Sequence, residues 1–304
     1  MSKTAFIYPG QGAQECFMGK DFYDNCDVSR QVYDMADDIL DISVKDICFT
    51  ENEIINETAY TQPALVTTCL AITAELNRQG IYPDVTAGLS LGEYAAIAAA
   101  GGMTYKAAIK TVRARGIYMQ EAVPSGKGSM AAVLGMTGEQ IENVIKDIED
   151  VYIANYNCPG QLVITGMKDA VLKAGEALTA NGAKRVVALN VSGPFHSPFL
   201  EEAGKKLEPH ITDIQELEVP YVANVTGDYV RSATLIKEYL VKQVSSSVRW
   251  EQSVRTMIAD GVDTFVEIGP GKTLAGFMKR IDRNVAVYNV SKVSDIEALK
   301  EAKL

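Results

Sequence analysis

Gly88-Leu89-Ser90-Leu91-Gly92 follows a short apolar run at residues 85–87 and leads into Glu93-Tyr94-Ala95-Ala96-Ile97-Ala98-Ala99-Ala100, a segment rich in helix formers. The stretch reads as strand, sharp turn and helix, with a serine on the turn. G-x-S-x-G in that setting is the pattern of a nucleophile elbow, whose backbone packs so closely that side chains at the flanking positions would collide. Ser90 then stands at a helix start, where free N–H groups and the helix dipole favour the negative charge of acyl transfer. In a chain with 24 glycines the pentapeptide also arises by chance. Its meaning therefore depends on whether the rest of the chain supplies a base, oxyanion donors and a pocket.

Upstream, the apolar run at residues 4–8 ends in Pro9-Gly10-Gln11-Gly12-Ala13-Gln14, a buried strand emptying into a tight loop. Neither G-x-x-x-x-G-K-[ST] nor G-x-G-x-x-G occurs there, so nucleotide binding has no support. The glycines instead let the backbone approach something else, with the Gln11 N–H on offer. Residues 18–79 are mostly helical, with a long helix over about 63–78 carrying Leu65, Cys69, Ile72 and Leu76. Thr104 caps a helix over 105–121 that carries Arg113 and Arg115, and Pro124-Ser125-Gly126-Lys127-Gly128 reads as a linker.

The rhythm then changes. Strands at 130–134, 151–155, 161–165 and 185–189 alternate with helices at about 137–150 and 168–180, a β-α-β-β-α-β order that predicts a small ferredoxin-like domain over 128–190. Residues 1–127 and 191–304 then share one larger core. Beyond the insertion come the loop Ser192-Gly193-Pro194-Phe195-His196-Ser197-Pro198, a helix through Lys205 and Lys206, and a strand at 219–223. Helices follow at 233–244 and 250–259, then a strand at 264–268 that opens on Gly269-Pro270-Gly271 and a helix from Lys272. Such alternation implies an α/β fold built on a mostly parallel sheet covered on both faces.

Composition bounds the function. The chain has 304 residues, 47% hydrophobic and 22% charged, ordinary values for a globular protein. No apolar segment approaches the roughly 18–20 residues of a membrane span, and the N-terminus shows no signal pattern, so a cytoplasmic location and no membrane partner are expected. The five cysteines, Cys16, Cys26, Cys48, Cys69 and Cys158, are scattered and read as reduced, buried thiols. A net charge of −10 argues against nucleic acid. With two histidines in the chain, a histidine metal cluster is not expected, and a histidine base for Ser90 is either His196 or His210.

His196 lies in a Gly/Pro loop at the junction with the small domain, where a cleft would open, whereas His210 follows Glu208-Pro209 in a charged stretch that reads as surface. No carboxylate stands out as a third triad member; a backbone carbonyl would also fix the histidine tautomer. Arg115 reads either as a solvated helix arginine, as Arg113 does, or as a clamp for a substrate carboxylate. Lys279, Arg280 and Arg283 form a basic group that reads as a solvated face or as a docking patch for an acidic partner.

Six segments lie in the order and spacing of one family: Pro9-Gly10-Gln11-Gly12-Ala13-Gln14, Gly88-Leu89-Ser90-Leu91-Gly92-Glu93-Tyr94, Arg115-Gly116, Ala154-Asn155-Tyr156-Asn157, Gly193-Pro194-Phe195-His196-Ser197 and Glu267-Ile268-Gly269-Pro270-Gly271. Over essentially its whole length the chain resembles the malonyl-CoA:acyl-carrier-protein transacylases of fatty-acid synthesis. That resemblance implies an α/β-hydrolase-like large domain with an inserted ferredoxin-like domain. It implies Ser90 as nucleophile, His196 as base, the N–H groups of Gln11 and Leu91 as oxyanion hole, and Arg115 as holder of the malonyl carboxylate. It also implies that the Gln243 main-chain carbonyl orients His196. Malonyl-CoA and acyl carrier protein are then substrates, and no cofactor is needed. The chain departs from the family at Leu89, where a histidine is usual, and in Ser245-Ser246-Ser247-Val248-Arg249-Trp250, which lacks the proline often found before the valine. A free-standing polyketide-synthase acyltransferase, a serine thioester hydrolase and a silent binding module are the alternatives.

Overall fold

The computed structural model describes residues 2–124, 126–191, 193–302 and 304; Met1, Ser125 of the expected linker, Ser192 at the head of the histidine loop and Lys303 lie outside the described residues. Among the described residues ten strands form two sheets. In chain order they are β1 (Lys3–Tyr8), β2 (Val85–Gly88), β3 (Gly128–Leu134), β4 (Val151–Cys158), β5 (Gln161–Met167), β6 (Arg185–Ala188), β7 (Tyr221–Val222), β8 (Tyr229–Val230), β9 (Val262–Ile268) and β10 (Ala286–Val290).

The larger sheet runs β10-β9-β1-β2-β7-β8, parallel throughout except for β8, which returns antiparallel to β7. β1 lies at its centre because its apolar run can be buried on both faces. Alternate side chains divide between two cores: Phe6 and Tyr8 join the one formed with the helix Thr58–Arg78, while Ala5 and Ile7 join the one formed with the helices Trp250–Ala259 and Thr273–Ile281.

The smaller sheet is antiparallel in the order β4-β5-β3-β6, which is the ferredoxin-like arrangement expected from the strand-helix rhythm. Its helices Gly138–Ile145 and Lys168–Ala180 cover one face with Ile141, Ile145, Val171 and Leu178. Met130, Ala154 and Val163 belong instead to the main core, so the sheet packs its other face on the larger body. The chain after Gln243 ties the two together: the Val248 N–H donates to the Ala154 carbonyl at 2.8 Å, and the Tyr156 N–H donates to the Val248 carbonyl at 2.9 Å. The architecture is therefore the mixed α/β fold read from the sequence.

Local differences have physical causes. The long helix begins at Thr58, and Pro63 lies inside it. A proline there frees the carbonyl four residues earlier, that of Ala59, and Arg113 Nη1 donates to it at 2.8 Å. Arg113 is thus not the solvated arginine its position suggested: it also forms a two-point pair with Asp41 at 2.9 and 2.8 Å. The helix capped by Thr137 ends at Ile145 rather than near residue 150, where Asp150 takes a φ of 62° and turns the chain into β4. The expected strand at 219–223 pairs only over Tyr221–Val222, and β8, β10 and the helix Ile296–Glu301 were not anticipated. Among the described residues no helix is long and apolar enough to cross a membrane.

Candidate active site

The elbow is built by contact rather than by glycine flexibility. A Cβ on Gly88 would overlap the Gly92 carbonyl, one on Gly92 would overlap the Tyr8 carbonyl oxygen, and one on Gly10 would come within 2.6 Å of the Leu89 carbonyl oxygen. Three segments thus meet backbone to backbone at the carboxyl ends of β1 and β2, as open α/β sheets place their sites. Ser90, between β2 and the helix Gly92–Ala99, takes a φ of 52°, a left-handed conformation that an L-residue keeps only where its surroundings enforce it. Asn224 enforces it. Its Oδ1 accepts from the Ser90 N–H at 2.6 Å and its Nδ2 donates to the Gly88 carbonyl at 2.7 Å.

His196 also has a left-handed φ, 58°, and is 4% exposed. Its Nε2 lies 2.7 Å from Ser90 Oγ, and its Nδ1 faces the carbonyls of Gln243 at 2.9 Å and Ser246 at 3.1 Å. Two acceptors at Nδ1 require the proton there, which leaves Nε2 free to accept from the serine hydroxyl. Burial, reinforced by the nearby Arg115 charge, lowers the His196 pKa to about 4 against the pull of those carbonyls. The ring is therefore neutral at pH 7. The serine triplet that departs from the family pattern supplies the second of these acceptors, and Ser247 Oγ donates to the Ile153 carbonyl at 2.5 Å.

Arg115 is buried, 1% exposed, which decides between its two readings: it is not a solvated arginine. Its Nη2 donates to Ser90 Oγ at 3.3 Å and to Gln243 Oε1 at 3.0 Å, and its guanidinium lies over the Tyr94 ring at 5.4 Å from the centroid. Its Nε is buried without an acceptor among the described residues. Burial lowers its pKa, yet a guanidinium stays charged at any working pH. The site therefore holds a positive charge beside the serine, with donor capacity unused.

Gln243 contributes more than a carbonyl. Its side-chain Nε2 donates to the Ser90 carbonyl at 2.7 Å and to Glu93 Oε2 at 2.7 Å. Glu93 is fully buried and also accepts from the Asn224 N–H at 3.3 Å. Burial raises its pKa to about 8, against the lowering by Gln243, Asn224 and Arg115, so it is mainly protonated at neutral pH. Sequence reading missed Glu93, Asn224 and the Gln243 side chain. The one available signal was a carboxylate at the head of an otherwise apolar helix.

Gln11 follows β1, and Leu91 stands at the head of the helix Gly92–Ala99. Among the described residues neither backbone N–H donates to an acceptor. The Gln11 side chain donates to Thr58 Oγ1 at 3.1 Å. A cavity of about 220 Å³ opens between the two sheets, with Gln11, Ser90, Arg115 and His196 on one side and Met130 and Asn155 on the other. Leu89 also lines it, its main chain packed against Gly10. His210 is exposed and bonded to the Tyr118 hydroxyl at 2.8 Å, away from this cavity. The Glu267-Ile268-Gly269 segment has a structural part: the Glu267 carboxylate accepts from the N–H groups of Leu274 and Ala275 at 3.0 and 2.8 Å and so anchors the helix that lines the cavity mouth. In the basic group, Lys279, Arg280 and Arg283 are all exposed, and Arg280 donates to Gln161 Oε1 at 2.8 Å.

A serine on a strained strand-to-helix turn, within proton-transfer distance of a buried neutral histidine, is the arrangement of serine acyl-transfer proteins. A family model described as "Acyl transferase domain" matches residues 5–297, and the chain belongs to that family. Within it, the chain is 44% identical over 304 residues to a malonyl CoA-acyl carrier protein transacylase of Bacillus subtilis (strain 168), covering 98% of this chain and 96% of that one. Among solved structures it superposes on a malonyl CoA-acyl carrier protein transacylase from Clostridium perfringens with a TM-score of 0.95 and 40% identity, covering 99% and 98% of the two chains. A malonyl-transacylase solved in complex with its type II polyketide acyl-carrier protein is as similar in fold, with a TM-score of 0.95, 37% identity, and coverage of 99% and 100%.

Proposed function

We propose that this protein transfers a malonyl group from malonyl-CoA to the phosphopantetheine thiol of acyl carrier protein through a malonyl-serine intermediate. The observation that carries the reading is the buried Arg115 guanidinium 3.3 Å from Ser90 Oγ, because it offers a carboxylate-bearing acyl group a charged partner at the reacting atom. The relatives' names support the same substrates.

Each half of the reaction uses the same atoms. His196 Nε2 takes the Ser90 hydroxyl proton as Oγ attacks the thioester carbon, and the negative charge that forms on the carbonyl oxygen is held by the Gln11 and Leu91 N–H groups. The carbon–sulfur bond breaks, and the departing coenzyme A sulfur takes the proton from His196. The carrier thiol then gives its proton to His196, attacks the malonyl ester, and Ser90 leaves with that proton restored. The Gln243 and Ser246 carbonyls hold the ring and stabilise the imidazolium in both halves. The chemistry rests on the protein's own groups, one thioester donor and one thiol acceptor, with no further cofactor. We read residues 1–127 with 191–304 as the catalytic domain, 128–190 as a domain that closes the cavity, and the cytoplasm as the site of action.

Intact-mass measurement after malonyl-CoA, with and without carrier protein, tests the proposal. One malonyl adduct is expected, absent in Ser90→Ala and discharged onto the carrier thiol. Release of free malonate at the same rate without carrier would make the protein a hydrolase, and no adduct at all would leave only a binding role. Comparing fatty-acid and polyketide carriers in the discharge step separates those two pathways.

A further inference from the structure

Malonyl selectivity is assigned above to Arg115 alone, yet Arg115 does not stand alone. Its Nη2 donates at 3.0 Å to Gln243 Oε1, and the same amide donates at 2.7 Å to Glu93 Oε2. Guanidinium, amide and carboxyl thus form one buried chain, and none of the three residues is more than 1% exposed. The chain is incomplete at both ends among the described residues: Arg115 Nε lacks an acceptor, and Glu93 Oε1 lacks any partner. A buried site of this kind accommodates a single counter-charge for Arg115 far more readily than two. Either Glu93 supplies it through its ionised form, or an incoming acyl group supplies it.

We propose that Glu93 is a specificity-determining positioning residue: through the Gln243 side chain, its uncharged carboxyl leaves Arg115 open to a carboxylate-bearing acyl group, and its ionisation closes Arg115 to that group. The inference rests on the malonyl reading of Ser90 and Arg115. Binding of a malonyl group above the Glu93 pKa then requires Glu93 to take one proton from solvent, whereas binding of an acetyl group requires none.

The groups that face Glu93 leave it alone in this window. Arg115, from the helix Tyr105–Glu121, keeps its charge. Tyr94, beside it on its own helix, is pushed by burial up to about 12, and Tyr221, on β7, is pushed higher still. Gln243 and Asn224 do not titrate. His196 is neutral above about pH 4. Glu93, raised by burial to about 8, is the group that changes charge between pH 7 and 9.

The test is single-turnover loading of Ser90 with malonyl-CoA and acetyl-CoA from pH 6.5 to 9.5. Taking the ratio of the two rates cancels effects common to both thioesters. In the wild type the malonyl-to-acetyl ratio should fall about tenfold between pH 7 and 9, following the uncharged fraction of Glu93. In Glu93→Gln, which keeps an acceptor for Gln243 and has no charge to gain, the ratio should stay level. A level ratio in the wild type, or a tenfold fall that persists in Glu93→Gln, would overturn the proposal. Should that variant not fold, proton uptake by the wild type in weak buffer at pH 8.5 decides: uptake in malonyl loading beyond that in acetyl loading is expected, and equal uptake refutes it. Failure of malonyl-CoA to load Ser90 at pH 7 would instead refute the functional reading on which this one stands.

Discussion

His196 Nδ1 lies 2.9 Å from the Gln243 carbonyl oxygen, so a backbone group stands where a carboxylate completes a serine triad. The substitution has an electrostatic consequence. A carboxylate would raise the histidine pKa, whereas a carbonyl dipole only partly offsets burial and the Arg115 charge, which together bring it to about 4.

Malonyl loading should therefore hold level on its acid side down to about pH 5 and be half lost near pH 4, measured by brief exposure and quench. A limb centred near 6.5 would show an unperturbed histidine. Stability carries the matching sign. Below pH 6.5 the unfolded chain protonates this histidine while the folded one does not, so folding loses about 1.4 kcal/mol per pH unit until pH reaches about 4. Denaturant unfolding of wild type and His196→Asn across that range should differ by this slope.

Arg115→Ala should lower malonyl loading about 10- to 150-fold, the equivalent of the roughly 1.5–3 kcal/mol of a charge-assisted contact, and leave acetyl loading much less affected. Equal losses for both thioesters would assign Arg115 to serine positioning instead. Arg115→Lys should recover little, because a single ammonium cannot both reach Gln243 Oε1 and present two parallel donors to a carboxylate.

Asn224→Ala should strand the Ser90 N–H and the Gly88 carbonyl, each buried group costing about 1–3 kcal/mol. Loading should fall with stability, since the left-handed turn at Ser90 loses what enforces it. In urea unfolding, Asn224→Asp should fall between wild type and alanine, because it keeps the acceptor for Ser90 and loses the donor to Gly88.

What sequence reading reached follows the range of each interaction. Ser90 and its glycines were legible because an elbow is a local device: strand, turn and helix are contiguous, and the small residues report backbone contact directly. The inserted sheet was legible because its hydrophobic rhythm repeats over a compact stretch. Asn224 was not, since it acts on Ser90 from the end of β7, 134 positions away, and an asparagine after a short strand has no distinguishing pattern. Arg115 remained undecided until its burial was seen, for helical spacing alone did not separate it from Arg113. β10 did have a readable signal, the apolar run Val285-Ala286-Val287-Tyr288, although as an edge strand it is only half-buried.

The contact origin of the elbow glycines separates them from glycines that are needed for their dihedral angles. At Gly88 the φ is an ordinary one, so alanine fails there only by running its Cβ into the Gly92 carbonyl. At Gly80 the φ is +81° and nothing lies within 4 Å, so alanine there suffers only the left-handed penalty. Gly80→Ala should accordingly cost about 1–2 kcal/mol in urea unfolding and load malonyl at the wild-type rate. Gly88→Ala should cost about 1–3 kcal/mol or more from overpacking and also lose loading, because relief of the clash must move β2 away from the helix that carries Ser90 into line with His196. Loading at the wild-type rate in Gly88→Ala would mean that the elbow relaxes without moving its serine.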